Sequence, residues 1–153
     1  MNNRGQRLPL VAQVARDREA AAAQGLADCQ RRLAEHQARL QQLLAFRGEY
    51  TEQLQNAGSS GISGHQLQNY AAFLANLEHG IACSQQQLAN LHEELQRQRD
   101  SWVMNRAKTQ GLEAALQRYR LEQGRAEERR EQAESDERAL QGRWRTSDIE
   151  AGG

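Results

Sequence analysis

Apolar residues recur every three or four positions along most of the chain, which is the spacing of one face of an α-helix. The rhythm stops at residues 57–64, A-G-S-S-G-I-S-G, where three glycines and three serines stand together. Glycine gives the backbone freedom and serine side chains compete for backbone hydrogen bonds, so a helix should end there. Two long helices joined by so short a break shield their apolar stripes by folding back on one another. The pattern predicts an all-α fold, an antiparallel two-helix coiled-coil hairpin.

The heptad-like spacing identifies the expected seam of this hairpin. On the first helix the seam positions are Leu26, Cys29, Leu33, His36, Leu40, Leu43, Arg47, Tyr50 and Leu54. On the second helix they are Tyr70, Leu74, Leu77, Ile81, Ser84, Leu88, Leu91, Leu95, Gln98, Trp102, Asn105, Thr109, Leu112, Leu116 and Tyr119. The same register continues through Gln123, Ala126, Arg130, Ala133, Glu137, Leu140 and Trp144. A repeat of this length is typical of a left-handed coiled coil.

The segments follow from the break and the two seams. We expect a flexible N-terminus at 1–8, a first coiled-coil helix at 9–57 and a turn at 58–64, then a longer second helix at 65–145 and a disordered tail at 146–153. Pro9 suits the first turn of a helix, where its missing N–H costs little. Because both helices rise equally per residue, facing positions should have numbers that add up to about 121. The second helix should then overhang from about Glu113 onward.

Composition argues against an enzyme. Only 38% of the 153 residues are hydrophobic and 5% are aromatic, and the mean hydropathy is −0.91. A two-stranded coil buries a narrow seam and builds no enclosed cavity, so neither a catalytic pocket nor a cofactor site is expected. His79 and Cys83 lie four residues apart on one helix face, but no second ligand pair accompanies them, so no metal site is predicted.

Charge is zero overall but unevenly spread. No Lys or Arg occurs between Gly48 and Gln96, so the hairpin should be acidic at its turn and basic towards its termini. The basic stretch from Arg97 to Arg125 includes Trp102 and Tyr119, which raises the question of nucleic acid. Both aromatic residues are in seam register, however, and the acidic residues that follow would repel phosphate. Nucleic-acid binding is therefore not predicted.

The two cysteines indicate a reducing compartment. Cys29 should face a residue near position 92, which is about nine residues or 13 Å along the helix from Cys83 and too far for a disulfide. Both are expected to be small, buried or half-buried thiols. The apolar start L-P-L-V-A is too short for a signal peptide, and no run is long enough to span a membrane. These features predict a cytoplasmic protein without membrane insertion.

Near the turn, the chain has more apolar residues than the seam of a two-helix hairpin can bury. Leu43, Phe46 and Tyr50 form a stripe on the first helix, while Phe73 stands one place off the seam on the second and Leu77 follows it. The pairing places the two stripes side by side, in a patch wider than a hairpin can cover. Such patches usually mark a partner surface. The alternative is tighter packing around the turn.

The turn region resembles a known family. Residues 61–81, G-I-S-G-H-Q-L-Q-N-Y-A-A-F-L-A-N-L-E-H-G-I, are similar to the G-I-S-x-x-Q-L-x-N-Y-x-x-F-L-x-x-L-E-x-x-I stretch of the flagellar export protein FliJ family. The L-x-x-L-L-x-F-R-x-E-Y pattern at 40–50, the R-D-R-E-x-A-A start and the charged C-terminal part agree with that family. The resemblance covers most of the chain, and the turn motif is its most specific part.

The resemblance implies a function. It implies a soluble, non-catalytic component of the flagellar type III export apparatus, similar to the central stalk (gamma) subunit of rotary ATPases. Such a protein would act in bacterial flagellum biogenesis and motility, in the cytoplasm, peripherally associated with the basal body at the inner membrane. Its implied partners are the export ATPase hexamer, the cytoplasmic part of the export gate protein FlhA and export chaperones. The chain is expected to be a monomer when free.

The resemblance also implies two sets of contact residues. The gate-contact positions are Arg39, Leu43, Phe46, Tyr50, Phe73, Leu77, Gly80 and Ser84, of which Gly80 and Ser84 depart from the family in being small. The expected ATPase-ring positions are Val11, Val14, Arg18, Arg118, Tyr119 and Arg125. A different class of function stays open from the residues alone, namely a structural coiled-coil scaffold or holdase-like chaperone without an ATPase partner. A stable dimer or tetramer would favour that alternative.

Overall fold

The chain forms two α-helices in a computed structural model that describes residues 3–151. Helix α1 spans Asn3–Ser60 and helix α2 spans Gly64–Ala151, and no strand occurs within that range. With 88 residues, α2 is longer than α1, which has 58. The two helices pack against one another in opposite directions. The predicted fold class, an antiparallel two-helix coiled-coil hairpin with a longer second helix, is confirmed.

The packing divides into two compact units. The turn unit comprises residues 17–106, and the terminal unit comprises the described residues of 1–16 and 107–153. Each contains a stretch of α1 packed against a stretch of α2.

The core of the turn unit is the expected seam. Cys29, Leu33 and Leu95 form a buried cluster, against which three half-buried leucines pack: Leu26, Leu88 and Leu91. Every predicted seam position of this unit is buried or half-buried. The Cys29 thiol lies 3.9 Å from the Leu91 carbonyl oxygen, which confirms that position 29 faces the region of residue 92.

Two ion pairs link α1 and α2 in the turn unit. Arg32 bonds Glu94 at 3.1 Å, and Arg47 bonds Glu78 at 3.3 Å. The side chains of both pairs are a third or more exposed. Each pair therefore adds at most about 1 kcal/mol. Arginine on α1 and glutamate on α2 favour this pairing of the helices over shifted ones.

The seam of the terminal unit is narrower on the α1 side. Ala12 is fully buried, and Thr109 and Leu116 of α2 are buried as well. A Cβ at Gly5 would lie 2.9 Å from the Tyr119 hydroxyl oxygen, so glycine makes room for the tyrosine ring. Small α1 residues of this unit thus face larger α2 residues.

Helix α1 begins earlier than the sequence indicated. It starts at Asn3 instead of residue 9, so Pro9 lies inside the helix. A proline there costs the Gly5 carbonyl its helical hydrogen bond. Gly5 lies close to the Tyr119 ring, and Leu8 lines one depression together with Tyr119. The expected flexible segment 1–8 is therefore helical from residue 3, while residues 1–2 lie outside the described part.

The overhang of α2 also begins later than expected. Arg16 bonds Glu113 at 3.1 Å, and Tyr119 is half-buried against Gly5. All residues from 120 to 147 are exposed. The expected start near Glu113 was wrong because α1 extends further towards its N-terminus. The predicted seam positions from Gln123 to Trp144 are solvent-exposed.

The end of α2 differs from the expected boundary as well. The helix continues to Ala151 instead of stopping at residue 145. Within this exposed stretch the support is local: Glu134 pairs with Arg138 at 3.7 Å, and the Thr146 hydroxyl donates to the Gly142 carbonyl at 2.6 Å. The expected disordered tail at 146–153 is thus helical through residue 151, and residues 152–153 lie outside the described part.

The turn is three residues long, from 61 to 63, instead of the expected seven. The Ser59 and Ser60 hydroxyls donate back to the Asn56 carbonyl at 2.8 and 2.9 Å, so these serines prolong α1. Helix α1 ends at Ser60, and the next residue, Gly61, has a φ of +80°, the left-handed conformation that favours glycine after a helix C-terminus. Its N–H donates to the Gly58 carbonyl at 3.4 Å.

Helix α2 begins with a capping box. The Gln66 N–H donates to the Ser63 hydroxyl at 3.2 Å, and the Ser63 N–H donates to the Gln66 side-chain oxygen at 3.4 Å. Two backbone donors are satisfied reciprocally, which fixes the start of the helix.

Both cysteines are free, as predicted. Cys29 is fully buried, whereas Cys83 is exposed, so the expectation of two buried or half-buried thiols was wrong for Cys83. Cys83 lies one residue before the seam position Ser84, and its thiol is 3.6 Å from His79 Nε2. Neither helix, within residues 3–151, contains a segment long and apolar enough to cross a membrane.

Gly61 should be the residue that sets the geometry of the turn. We expect Gly61→Ala to destabilise the hairpin by about 1–2 kcal/mol because alanine is strained at positive φ. Gly58→Ala is the matched control, since a Cβ at either position would meet no atom within 4 Å. That control should be neutral or stabilising by up to about 1 kcal/mol because residue 58 is helical. Urea unfolding followed by circular dichroism measures the stability of both variants. Equal effects of the two substitutions would contradict the role given to Gly61 in the turn.

Candidate partner-binding surfaces

Four aromatic rings meet beside the turn. Phe46 and Tyr50 come from α1, and Tyr70 and Phe73 come from α2; these four residues are called the aromatic cluster. The ring centroids of Tyr50 and Phe73 lie 4.2 Å apart, and those of Tyr50 and Tyr70 lie 5.1 Å apart. Phe46 lies 6.0 Å from Phe73 and 6.4 Å from Tyr50. The predicted merging of the two stripes is therefore observed.

Helix periodicity and the short turn bring these rings together. Phe46 and Tyr50 are four residues apart, and Tyr70 and Phe73 are three apart, so each pair lies on one face of its helix. The turn sets the register in which these faces meet. Tyr50 is the centre of the cluster because its ring contacts the other three. Such tilted and offset arrangements are favourable for aromatic rings.

The cluster both closes the hairpin and presents a surface. Tyr50 and Tyr70 are half-buried between the helices. Phe46 keeps 48% of its surface exposed and Phe73 keeps 39%. The two readings of this region, tighter packing and a docking patch, thus apply to different rings of one cluster. The tyrosines pack inward while the phenylalanines face solvent.

The other predicted gate-contact residues differ in their exposure. Leu43 and Leu77 are half-buried, and Arg39 is exposed. A Cβ at Gly80 would meet no atom within 4 Å. Ser84 is only 8% exposed in the seam, so it offers almost no surface to a partner. Ser84 occupies the predicted seam position, and its contact with the gate stays a prediction.

Sequence reasoning missed part of this region. Tyr70 was assigned only to the seam, although its spacing of three from Phe73 could have placed it in the cluster. Next to it lies an open cleft of about 420 Å³, lined by Tyr50, Ile62, Gln66, Asn69 and Tyr70. No single stretch of sequence signals this cleft because α1, the turn and α2 each contribute to it.

The terminal unit holds five of the six residues assigned to the ATPase ring. Val11 and Val14 are each 48% exposed, and Leu10, which sequence reasoning missed, is more exposed still. Arg118 and Tyr119 line an open depression together with four other residues: Arg4, Leu8, Ala115 and Glu122.

Arg18 and Arg125 are not part of that depression. Arg125 is exposed on α2 beyond the paired region. Tyr119 is half-buried, and its hydroxyl accepts a hydrogen bond from Gln123 at 3.1 Å. Arg18 is exposed but belongs to the turn unit, so the structure does not group it with the other five.

Two further features are outside the predicted sites. Leu140 and Trp144 are exposed on α2, Trp144 by 70%. Across residues 3–151, no group of three or more His, Cys, Asp or Glu side chains is arranged to hold a metal ion.

Comparison with known proteins identifies the family. The family model described as flagellar FliJ protein matches residues 4–147 of this chain. The chain belongs to the FliJ family. As a FliJ-family protein it is a component of the flagellar protein-export apparatus. Comparisons with curated proteins and with solved structures found no match.

The FliJ-like turn motif has a structural basis in this chain. Its first residues form the helix end at Gly61 and the capping box of Ser63 and Gln66. Its middle contributes Tyr70 and Phe73 to the aromatic cluster. The stretch that carried the resemblance therefore builds both the turn and the α2 side of the cluster.

The rings of the cluster should differ in their contribution to stability. We expect Tyr50→Ala to lower the free energy of unfolding by about 2–3 kcal/mol, since it removes a half-buried ring with three aromatic neighbours. Phe46→Ala should cost only about 1 kcal/mol because half of that ring is already in water. Thermal unfolding by circular dichroism compares the two variants. A larger loss for Phe46→Ala would show that Tyr50 is not the centre of the cluster.

Proposed function

We propose that this FliJ-family protein is a non-catalytic stalk that links the export ATPase ring to the gate protein FlhA. It would work in the cytoplasm, peripherally associated with the basal body at the inner membrane. Family membership supports a role in the export apparatus. The two compact units support a linking role because each carries its own set of exposed apolar residues.

The aromatic cluster of the turn unit is the observation that carries the gate-binding half of this proposal. Protein interfaces draw most of their binding energy from a few aromatic or arginine residues at the centre of the contact. Phe46 and Phe73 are half-exposed rings held by packing against Tyr50. Rings fixed in this way lose little side-chain freedom on binding. Leu43 lies three residues before Phe46 and Leu77 four residues after Phe73, so each shares a helix face with one of these rings. Arg39 and Gly80 stay predicted contacts of the gate.

The terminal unit is the proposed ATPase-binding part. Val11 and Val14 give it an apolar surface, and Arg118 and Arg125 give it positive charge. Apolar and positively charged residues in one unit suit a partner surface that is apolar and acidic. Tyr119 supports this surface by packing against Gly5. Arg18, in the turn unit, stays a predicted contact of the same ring.

The proposed stalk is a monomer that also escorts export chaperones. A structural scaffold or holdase-like chaperone is the second candidate function. The exposed seam positions Leu140 and Trp144 favour it, since an unpaired seam can pair with another copy. The mass of the free protein in solution separates the two: one chain per particle supports the stalk, and a stable dimer or tetramer supports the scaffold.

Gate binding should depend on the two exposed rings. We expect Phe46→Ala combined with Phe73→Ala to weaken binding to the cytoplasmic part of FlhA at least tenfold, because the centre of the contact is lost. Isothermal titration calorimetry measures the affinity, and circular dichroism checks that helicity is retained. Val103→Ala with Met104→Ala is the control, since these residues are exposed and apolar in the same unit. If the variant without Phe46 and Phe73 binds FlhA as tightly as the native chain, the aromatic cluster is not part of the gate interface.

ATPase binding should depend on a different surface. We expect Val11→Ser with Val14→Ser to weaken binding to the export ATPase about tenfold and to leave FlhA binding unchanged. The variant with Phe46→Ala and Phe73→Ala should lose FlhA binding and keep ATPase binding. Pull-down of each variant with both partners measures the separation. Loss of both interactions in either variant would contradict two independent surfaces.

A further inference from the structure

We infer that the cleft beside the turn is a second contact for the partner that covers the aromatic cluster. It would receive one apolar side chain that has a lysine or arginine next to it on the partner. This inference rests on the proposed gate-binding function and extends it to Ile62, Gln66, Asn69 and Tyr70. None of these four was among the predicted gate contacts.

The lining of the cleft suits an apolar side chain bordered by peptide groups. Its five lining residues are two tyrosines, one isoleucine and two amides, and none is charged. The volume of about 420 Å³ is within the usual range for ligand-binding pockets. The rings and Ile62 supply apolar walls. Gln66 and Asn69 supply amide groups of the kind that bind a partner's backbone.

The cleft is continuous with the aromatic cluster. Tyr50 belongs to both, and its ring lies 5.1 Å from that of Tyr70 and 4.2 Å from that of Phe73. A partner that covers the two exposed phenylalanines therefore reaches the Tyr50 wall of the cleft. The two features form one surface across the turn unit.

The turn fixes the position of two residues that line the cleft, Ile62 and Gln66. Ile62 stands between Gly61, which ends α1, and Ser63, which caps α2. The Ser63 N–H donates to the Gln66 side-chain oxygen, so the Gln66 amide is fixed by the capping box. Preformed walls lower the ordering cost of binding. The same interactions that end one helix and begin the next therefore prepare the site.

The surrounding charge indicates the chemistry of the partner. Between Gly48 and Leu77, Glu49 and Glu52 are the only Asp, Glu, Lys or Arg residues, and both are exposed. Glu49 is next to Tyr50 in the sequence. A partner segment with a cation beside its apolar side chain complements the negative charge of Glu49. An acidic segment would be repelled.

Substitution of Asn69 tests both the position and the charge. We expect Asn69→Arg to weaken FlhA binding at least tenfold, because it places a bulky cation in the cleft. Asn69→Glu should bind at least as tightly as the native chain, since it adds to the negative charge. Gln68→Arg is the matched control: position 68 is exposed, adjacent on α2 and not part of the lining. It should change the affinity less than threefold.

A second variant removes the apolar wall without adding charge. Ile62→Ser should weaken FlhA binding about fivefold, with helicity unchanged because residue 62 lies between the helices. Isothermal titration calorimetry at one salt concentration measures all variants, and sedimentation measures their self-association. Native-like binding by both Asn69→Arg and Ile62→Ser would overturn the inference. So would an equal loss in Gln68→Arg, or an effect on self-association instead of on FlhA binding.

The result also separates this inference from the function on which it rests. If the variant lacking Phe46 and Phe73 loses FlhA binding while the cleft variants keep it, the gate surface stands and the cleft is not part of it. If that ring variant also binds like the native chain, the proposed gate-binding function fails.

Discussion

Burial of one narrow seam is the constraint on which this fold depends. Each helix has a single stripe of apolar residues to bury, and folding back lets each stripe shield the other from water. Cys29, Leu33 and Leu95 are buried in this way. Two helices cannot enclose a cavity, so apolar side chains beyond the stripe stay at the surface. Partner-binding surfaces are the natural outcome of such a fold, and the half-exposed Phe46 and Phe73 are its clearest example.

The short turn converts this constraint into a particular site. The left-handed Gly61 ends α1, and two residues later Ser63 begins the capping of α2. This geometry sets which residues of the two helices face one another. Tyr50 therefore meets Tyr70 and Phe73 instead of residues one helical turn away. The bonds that end α1 and begin α2 therefore determine how the aromatic cluster and the cleft beside it are formed.

The heptad pattern predicted the seam and the merging of the aromatic stripes because many residues along both helices repeat the same apolar spacing. The ends of the helices depend on local bonds that spacing does not reveal. Ser59 and Ser60 prolong α1 through hydrogen bonds to Asn56, and α1 already begins at Asn3, before Pro9. The cleft was missed because its walls come from separate segments. The resemblance that suggested the family was confirmed over nearly the whole chain.

The distance between two labels across the hairpin tests the central claim most directly. Spin labels on native Cys83 and on Ala38→Cys, in a Cys29→Ala background, occupy exposed positions whose numbers have the sum of 121 expected for facing residues. Helices packed about 8–10 Å apart predict a label distance of roughly 15–25 Å. This distance should persist when labelled chains are diluted with unlabelled ones. One continuous straight helix would instead place the labels about 68 Å apart, and that result would contradict the hairpin.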